Sequence, residues 1–336
     1  MTTLSIRRAD GIMTVQDMGR PGHLAQGLSR GGAMDRRALL EAAALLGADT
    51  PLTALEMAGA GGEFTFDTAT RIALTGAPMS ATLDGTPLRW NAAHLVLPDQ
   101  VLRLGGVRSG VYGYLTPAGG IATDPWLDSR ATHLTIGIGE ALERGYTVPL
   151  GDDPDPDRPA MGLPAPNRFE GGTFRVVDGA HTALFSDAVI EAFYATTFVR
   201  APRGNRQGIQ LGSDARFATD AAKGIASDLI GPGDVQMTGD GVPYILMAEC
   251  QTVGGYPRIG TVLPEDLPLI AQAAPDAALR PCHVSLDTAL ASARSEAAEL
   301  RDLAKQCTPL IRDVATIRDL LSYQLISGVT CGDDLD

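Results

Sequence analysis

The first half of the chain alternates between short apolar runs and turn residues. Residues 64–66, 71–75 and 94–97 are three such runs, and Gly76 and Pro98 directly follow the second and the third. Short runs rich in β-branched and aromatic residues and bounded by glycine or proline are typical of β-strands. The pattern therefore predicts a first half built mainly from strands.

A tight turn is predicted at Asp84-Gly85, between two further apolar segments at residues 81–83 and 88–90. Aspartate and glycine both tolerate the positive φ that a two-residue hairpin turn requires of its central residues. We therefore expect residues 81–83 and 88–90 to pair as antiparallel strands.

Helices are expected at only a few places. Asp35 is a suitable N-cap for an apolar run over residues 38–46, and Gly47 is a suitable stop. The second half repeats the strand-rich texture, with helices expected near residues 186–194 and 264–273.

The chain is predicted to divide into two β domains and a helical tail. Residues 151–167 contain five prolines and four aspartates, a composition that opposes packing and is typical of a linker. The predicted domains are residues 1–150 and 168–285. In the remaining tail, residues 286–336, leucine and alanine recur at three- and four-residue steps, which predicts an amphipathic helix. Pro309 should break this helix, and a second short helix is expected over residues 310–325.

The two halves share a weak internal repeat. The segment G-R-P-G at residues 19–22 has a counterpart, N-R-Q-G, at 205–208, and a Gly-Gly turn at 118–121 has one at 253–256. Such matches favour two related β domains, while chance similarity in a glycine-rich chain is the alternative.

Composition narrows the possible functions. The chain has 336 residues, of which 39 are glycine, and the formal net charge is −13 with 40 acidic and 27 basic side chains. An acidic chain is a poor partner for nucleic acid or for an anionic membrane. No apolar stretch is long enough to span a membrane, no secretory signal is visible, and the four cysteines form no C-x-x-C pair. We therefore expect a cytoplasmic protein with no membrane partner.

Several kinds of chemistry are not expected. The sequence has no phosphate-binding P-loop and no H-E-x-x-H, and its five histidines are isolated, so no metal site is predicted. We also expect no serine-hydrolase triad. Lys223 and Lys305 are the only lysines, and neither lies in a setting that would suit a biotin carrier or a Ser-Ser-Lys amidase.

Two stretches carry the most distinctive chemistry. Residues 14–22 read T-V-Q-D-M-G-R-P-G and precede G-G-A-M-D at 31–35, which places Arg20 among glycines that let a ligand approach the backbone. Residues 248–260 read A-E-C-Q-T-V-G-G-Y-P-R-I-G, in which a strand expected at 244–248 delivers a carboxylate, an amide and a hydroxyl to a Gly-Gly turn.

These stretches resemble the KipA family, also called allophanate hydrolase subunit 2, the 5-oxoprolinase C subunit or the biotin-dependent carboxyltransferase family. Shorter elements at residues 129–132 and 205–209 are similar to the same family, and the resemblance extends from about residue 10 to residue 285. It implies a mainly β protein with two tandem cyclophilin-like β-barrel domains, a few helices and a helical C-terminal tail.

The resemblance also implies an activity and partners. The expected protein is the C-type subunit of a heteromeric, ATP-dependent 5-oxoprolinase-like hydrolase of cyclic amides. It would work with a KipI-like protein (the B-type subunit) and with an amidohydrolase-like protein (the A-type subunit), share ATP with them and carry no covalently bound cofactor. Two alternatives stay open. One is a carboxyltransferase component that works with biotin carried elsewhere, as in urea carboxylase, and the other is a non-enzymatic antagonist of a KipI-like kinase inhibitor.

The resemblance and the residue chemistry together name the candidate site. Glu249 and Asp17 are the candidate catalytic residues, with a structural ion pair and a braced turn as their alternative roles. The candidate substrate-binding residues are Arg20, Asn205, Arg206, Gln251, Thr252, Gly254, Gly255, Tyr256, Gly119, Gly120 and Arg130. The sequence departs from the family pattern where Glu249 replaces an aspartate, Val253 a threonine and Glu140 an arginine, which leaves the identity of the substrate open.

Overall fold

A computed structural model of the chain describes residues 2–219 and 225–310. The first domain consists of two β-sheets and one long helix. The six-stranded sheet has the order β11-β1-β4-β9-β6-β7, and the seven-stranded sheet has the order β2-β3-β10-β5-β8-β12-β22. The elements of this half are β1 (Thr3–Ala9), β2 (Ile12–Gln16), α1 (Arg36–Leu46), β3 (Ala54–Ala58), β4 (Ala60–Phe66), β5 (Thr70–Gly76), β6 (Met79–Leu83), β7 (Thr86–Pro87), β8 (Ala92–Val96), β9 (Leu102–Val107), β10 (Tyr112–Pro117), β11 (Thr147–Pro149) and β12 (Met161–Gly162).

The second domain is a closed barrel of seven strands in the order β13-β20-β17-β18-β15-β14-β21. Its pairs are antiparallel except for β13 with β21. The elements are β13 (Gly172–Val177), α2 (Asp187–Ala195), β14 (Phe198–Gly204), β15 (Gly208–Gly212), β16 (Asp228–Leu229), β17 (Asp234–Met237), β18 (Pro243–Leu246), β19 (Val253–Gly254), β20 (Arg258–Val262), α3 (Leu267–Gln272) and β21 (Ala278–His283). The tail adds α4 (Leu286–Ser292), α5 (Glu296–Gln306) and β22 (Thr308–Pro309). The mainly β fold class predicted from the sequence is confirmed.

Local sequence signals place α1 as expected. The Asp35 side chain accepts a hydrogen bond from the Ala38 backbone N–H at 3.1 Å, which satisfies one of the unpaired donors of the first turn. At the other end Gly47 has φ 79°, the left-handed conformation that ends many helices. The predicted N-cap and stop of this helix are both correct.

The predicted hairpin turn is also confirmed, but the predicted position of one of its two strands is wrong. Asp84 and Gly85 both have positive φ (48° and 86°), as a two-residue hairpin turn requires. Leu83 then pairs with Thr86, so the returning strand is Thr86–Pro87 and not residues 88–90. The physical reason is the tightness of the turn, which starts the partner strand immediately after Gly85.

The tail differs from the single long helix predicted from residue 285 onwards. Two helices, α4 and α5, replace it because Ser295 adopts an extended backbone and caps α5 by accepting from the Ala298 N–H at 3.2 Å. The second helix predicted over 310–325 lies outside the described residues except for Leu310. On α5, Leu300 and Leu303 pack against Leu40 of α1.

The segment predicted as a linker, residues 151–167, packs against the first domain. Arg71 donates two hydrogen bonds to the carboxylate of Asp153, at 2.6 and 2.7 Å. Within the same segment β12 pairs with β8 and β22, and Leu163 is buried. Its prolines and aspartates therefore mark an irregular path along the protein rather than a freely solvated connection.

The two domains share one apolar core. Ala33, Met34 and Tyr114 of the first domain belong to the same buried cluster as Phe174 and Phe193 of the second. A separate cluster fills the space between the two sheets of the first domain. Because the shared cluster crosses the boundary, loops of both domains are held against each other, and this is where the candidate residues lie. Among the described residues, no helix is long and apolar enough to cross a membrane.

Candidate functional site

A cavity of about 370 Å³ lies between the two domains. The first domain contributes the loop before α1 and the short 3-10 helix Leu134–Ile136, and the second contributes the loop after β18. A backbone hydrogen bond from the Gly31 N–H to the Ala248 carbonyl, 3.0 Å, joins the two loops. The cavity is lined by Gly27, Leu28, Ser29, His133, Thr135, Ile136, Glu249, Cys250, Gln251, Thr252 and Val253.

Glycines allow the loop before α1 to fold closely on itself. A Cβ on Gly19 would lie 2.6 Å from the Arg30 carbonyl oxygen, and a Cβ on Gly32 would lie 2.6 Å from the Gly19 nitrogen. Both glycines also have positive φ, which disfavours any other residue. This close approach of two backbone segments places Ser29 in the cavity wall.

Arg20 is buried near Gly31 and the cavity-lining His133, and one part of its guanidinium is unpaired. Its Nη2 donates to the Ala131 carbonyl, Nε lies 3.4 Å from the Trp126 carbonyl, and the guanidinium stacks 5.7 Å from the Trp126 ring centroid. Nη1 has no hydrogen-bond partner within the described residues. Burial lowers the pKa of Arg20, but an arginine remains charged at any physiological pH. The site therefore holds a buried cation with free hydrogen-bonding capacity.

Each of the three guanidinium nitrogens of Arg206 donates a hydrogen bond within the protein. Its Nε donates to Glu249 Oε1 at 2.5 Å, its Nη1 donates to Glu56 Oε1, and its Nη2 donates to the Gly32 carbonyl at 2.6 Å. Burial alone would lower the pKa of Arg206, but the carboxylates of Glu56 and Glu249 outweigh it and raise the pKa. The guanidinium thus joins β3 and the loop before α1 to the second domain.

A series of buried hydrogen bonds continues from Arg206 and Glu56 into the first domain. Glu56 Oε2 accepts from the Tyr114 hydroxyl at 2.6 Å and from the Met34 N–H at 2.8 Å. The Tyr114 oxygen in turn accepts from the Asp35 N–H at 2.8 Å. Burial and the neighbouring Glu56 hold the pKa of Tyr114 well above its usual value, so the hydroxyl keeps its proton and its donor role. Glu249 is therefore connected to the start of α1 through fixed side chains.

Glu249 has a second set of contacts on the cavity side. Its Oε2 accepts from the Thr135 hydroxyl at 3.2 Å and lies 3.6 Å from His133 Nδ1. The other ring nitrogen of His133, Nε2, is 2.9 Å from the Ser29 hydroxyl. Burial lowers the pKa of His133, as do Arg20 and Arg206, while Glu249 opposes the shift. The imidazole is consequently neutral at pH 7 and able to accept a proton.

The other predicted residues of the N-terminal motif brace turns. Asp17 accepts hydrogen bonds from the Gly19 N–H, the Ser129 hydroxyl and the Arg130 N–H, at 2.6–2.8 Å. The Arg130 side chain is exposed and donates to the Thr123 carbonyl. These hydrogen bonds tie the turn at Asp17 to the loop at residues 129–130, next to Arg20.

Asn205 and the predicted glycine turns lie outside the cavity. Asn205 Oδ1 accepts from the Gln207 and Gly208 N–H groups within the β14–β15 hairpin. Gly119 and Gly120 pack against Gly151, where a Cβ on Gly119 would lie 2.0 Å from the Gly151 oxygen. Three further predicted residues also do not line it: Gly254 and Gly255, at the end of β19, and the half-exposed Tyr256.

Of the thirteen predicted residues, the structure thus gathers five at one place. Glu249, Gln251 and Thr252 line the cavity, Arg20 lies near the cavity-lining His133, and Arg206 holds Glu249. Sequence reasoning missed Ser29, His133, Thr135 and Glu56. A signal for Ser29 was present, since residues 27–31 read G-L-S-R-G and match the spacing G-x-S-x-G. The loop is not the strand-to-helix elbow in which that spacing usually occurs, and His133 carries no local signal at all.

The described residues offer no group of three or more histidine, cysteine or acidic side chains that could hold a metal ion. Nor is the cavity suited to a nucleoside triphosphate, because none of the described residues that line it is an arginine or a lysine and Glu249 adds negative charge. Cys250, which also lines it, is no thiolate nucleophile, since burial raises the pKa of its thiol to about 12.

A tandem β-domain protein with an interdomain polar cavity is the class that the fold and the site define. The model of the carboxyltransferase domain family, subdomains A and B, matches residues 26–280. The 5-oxoprolinase C subunit of Escherichia coli K12 is 33% identical over 306 residues, which cover 90% of this chain and 97% of that protein. The Haemophilus influenzae 5-oxoprolinase C subunit is 30% identical over 264 residues, which cover 77% of this chain and 84% of that protein. The chain belongs to this carboxyltransferase-domain family, the one that the sequence motifs resemble.

Solved structures show the same fold. TTHA0988 superposes with a TM-score of 0.76 at 28% identity, over 84% of this chain and 56% of that one. The urea carboxylase of Kluyveromyces lactis superposes with a TM-score of 0.78 at 24% identity, over 90% of this chain and 29% of that one. The chain spans about half of the first protein and less than a third of the second, so it corresponds to one part of each.

Proposed function

We propose that this chain is the C-type subunit of a heteromeric, ATP-dependent 5-oxoprolinase-like hydrolase, and that it binds a small anionic amide in the interdomain cavity. The observation that carries the proposal is a cavity lined by carboxylate, amide and hydroxyl groups, with the buried, unpaired Nη1 of Arg20 close to its lining residue His133. Near-full-length similarity to a 5-oxoprolinase C subunit supports the same substrate class.

The chemistry of the cavity suits such a ligand. A buried donor without a partner costs free energy of about 1–3 kcal/mol, more when it is charged, and an anionic ligand would remove this cost. A guanidinium binds a carboxylate with charge-assisted hydrogen bonds. Gln251 and Thr252, which also line the cavity, can exchange hydrogen bonds with an amide N–H and carbonyl.

The nucleotide would be bound by partner subunits, since this cavity lacks the charge to hold it. Exposed apolar side chains at the rim support a partner surface: Ile136 and Val253 line the cavity and are both about half exposed. Contiguous exposed apolar patches are typical of contacts with another protein, and these two side chains would form part of one. A KipI-like protein and an amidohydrolase-like protein are the partners that this function requires.

The test uses the assembled complex. The chain is co-produced with the KipI-like and amidohydrolase-like proteins of its own organism, and ADP release is measured with and without 5-oxoproline and related lactams. We expect lactam-dependent ADP release that Arg20→Lys reduces mainly through a higher KM, since lysine keeps the charge but loses the planar fork. An assembled complex that releases no ADP with any lactam would refute the proposal.

Carboxyl transfer from a biotin carried by another protein is a second candidate, supported by the family's carboxyltransferase domain. An affinity purification from the native host distinguishes the two functions. A biotinylated protein recovered in stoichiometric amount favours carboxyl transfer, whereas the two oxoprolinase-type partners favour lactam hydrolysis. Recovery of a KipI-like protein with a sensor kinase would instead favour the non-enzymatic role.

A further inference from the structure

Ser29, His133 and Glu249 form a continuous polar series along the cavity wall. Ser29 Oγ lies 2.9 Å from His133 Nε2, and His133 Nδ1 lies 3.6 Å from Glu249 Oε2. All three residues are at most 4% exposed, yet all three line the cavity. A hydroxyl, an imidazole and a carboxylate in this order, at a ligand cavity, are the parts of an activated nucleophile.

In an activated nucleophile one ring nitrogen of the histidine accepts the hydroxyl proton and the other faces the carboxylate, and His133 is oriented in this way. When the Ser29 hydroxyl donates to Nε2, the ring proton sits on Nδ1, which faces Glu249. Nδ1 has no hydrogen-bond partner within the described residues, and Glu249 Oε2 is the carboxylate oxygen nearest to it. The 3.6 Å separation is longer than a hydrogen bond, and such contacts commonly shorten when substrate binds.

Arg20 helps to keep the imidazole neutral. A Cβ on Gly31 would lie 3.5 Å from His133 Cδ2 and 3.6 Å from Arg20 Nη1, so both side chains border this glycine. Burial and the positive charge of Arg20 both lower the pKa of His133.

We propose that Ser29 is an acyl-accepting nucleophile, with His133 as its general base and Glu249 as a positioning residue for the imidazole. The substrate class is a small acyl donor, an activated amide or ester whose carbonyl reaches the cavity. This inference rests on the proposed function only for the identity of that acyl donor.

The bonds balance as follows. Ser29 Oγ attacks the carbonyl carbon while its proton moves to His133 Nε2, which forms a tetrahedral intermediate. The bond from the carbon to its leaving group then breaks, and the leaving group takes the proton from Nε2, which leaves an ester on Ser29. Water then attacks the ester and gives one proton to Nε2, the carboxylic acid departs, and Ser29 Oγ recovers that proton from His133.

The experiment treats the purified full chain with a small alkyl fluorophosphonate, which phosphonylates activated serines with loss of fluoride. Peptide mass mapping should place one adduct per chain, on Ser29. An adduct on another residue, or none at millimolar probe, would overturn the proposal. This readout on the wild-type chain depends on no variant folding correctly.

Variants assign the roles. His133→Asn should lower the labelling rate by at least about 100-fold, as expected for loss of a general base, while Ser80→Ala, an exposed serine on β6, should label like the wild type. Labelling of His133→Asn at the wild-type rate would overturn the assignment of His133 as base. Glu249→Gln should lower the maximal labelling rate about tenfold without changing the half-saturating probe concentration, and an unchanged maximal rate would remove Glu249 from the proposal.

The outcome is separable from that of the proposed function. Labelled Ser29 in a complex that releases no ADP with lactams would refute the oxoprolinase function and leave the nucleophile in place. Lactam-dependent ADP release with no adduct on Ser29 would do the reverse.

Discussion

Arg168, the first residue of the second domain, offers the clearest test of how the two domains are held together. Its side chain is buried and forms three charge-assisted hydrogen bonds with the first domain: two to Glu41, at 2.7 and 2.8 Å, and one to Asp35 at 2.7 Å. Burial would lower the pKa of Arg168, but these two carboxylates outweigh it and raise the pKa. Replacing Arg168 by methionine keeps much of the apolar stem and removes the charge.

The size of the expected loss in stability depends on which partners the carboxylates of Asp35 and Glu41 retain when Arg168 is replaced. Asp35 retains the Gln272 amide at 2.8 Å and the Ala38 N–H at 3.1 Å, whereas Glu41 retains, among the described residues, only Arg37 at 3.6 Å. Both carboxylates are almost completely buried, so Arg168→Met leaves Glu41 as a nearly unpaired buried charge. Breaking a buried pair in this way typically costs about 3–5 kcal/mol, which we expect as the loss in the free energy of unfolding.

The assay is urea unfolding at pH 7.5, followed by tryptophan fluorescence and far-ultraviolet circular dichroism. The matched control is Arg103→Met, because Arg103 pairs with Glu63 at 3.1 Å at the surface and should cost less than about 1 kcal/mol. Adding Glu41→Gln to Arg168→Met should recover part of the loss, since it removes the unpaired charge. A loss for Arg168→Met no larger than that of the control would refute this account of the interface.

Three further predictions test local features. Gly85→Ala should destabilise the protein by about 1 kcal/mol in urea unfolding, because φ is 86° there while no atom lies within 4 Å to clash; an unchanged stability would contradict the strain argument. Iodoacetamide at pH 8 should alkylate the exposed Cys282 and spare Cys250, whose burial raises the pKa of its thiol to about 12, and rapid mass-mapped labelling of Cys250 would contradict this. Burial lowers the pKa of His133, so on acidification the imidazole is protonated in the unfolded chain before it is protonated in the folded one, and stability should fall as the pH drops below about 6.5. His133→Asn should flatten that part of the Tm–pH curve. Identical curves for the variant and the wild type would contradict this assignment to His133.

The buried side chains that position Glu249 also connect the two domains. Glu249 contacts Arg206, Arg206 contacts Glu56, and Glu56 contacts Tyr114, whose oxygen accepts from the backbone of Asp35 at the start of α1. Buried polar groups linked in this way are costly when any one of them loses its partner. The same side chains that position the Glu249 carboxylate therefore also fix the domains against each other.

Local features of the fold could be predicted from the sequence because they depend on neighbouring residues. The cap at Asp35, the stop at Gly47 and the turn at Asp84-Gly85 are each decided within a few positions of the chain. The prediction of one long tail helix is wrong because a single serine, Ser295, caps a new helix and competes with the longer apolar repeat. Glycine-rich motifs correctly indicated the family.

The strand-rich texture, the family and the two segments that meet at the cavity all follow from the order of residues along the chain. Which side chains meet there depends on tertiary packing. Ser29 and His133 are 104 positions apart and Thr135 and Glu249 are 114 apart, so their contacts exist only because two domains pack through a shared core. A hydrogen bond depends on ångström-scale distances, and no periodicity or spacing in the chain fixes such distances across a domain boundary. For the same reason Arg206, expected to bind a substrate, is instead occupied by Glu56, Glu249 and the Gly32 carbonyl.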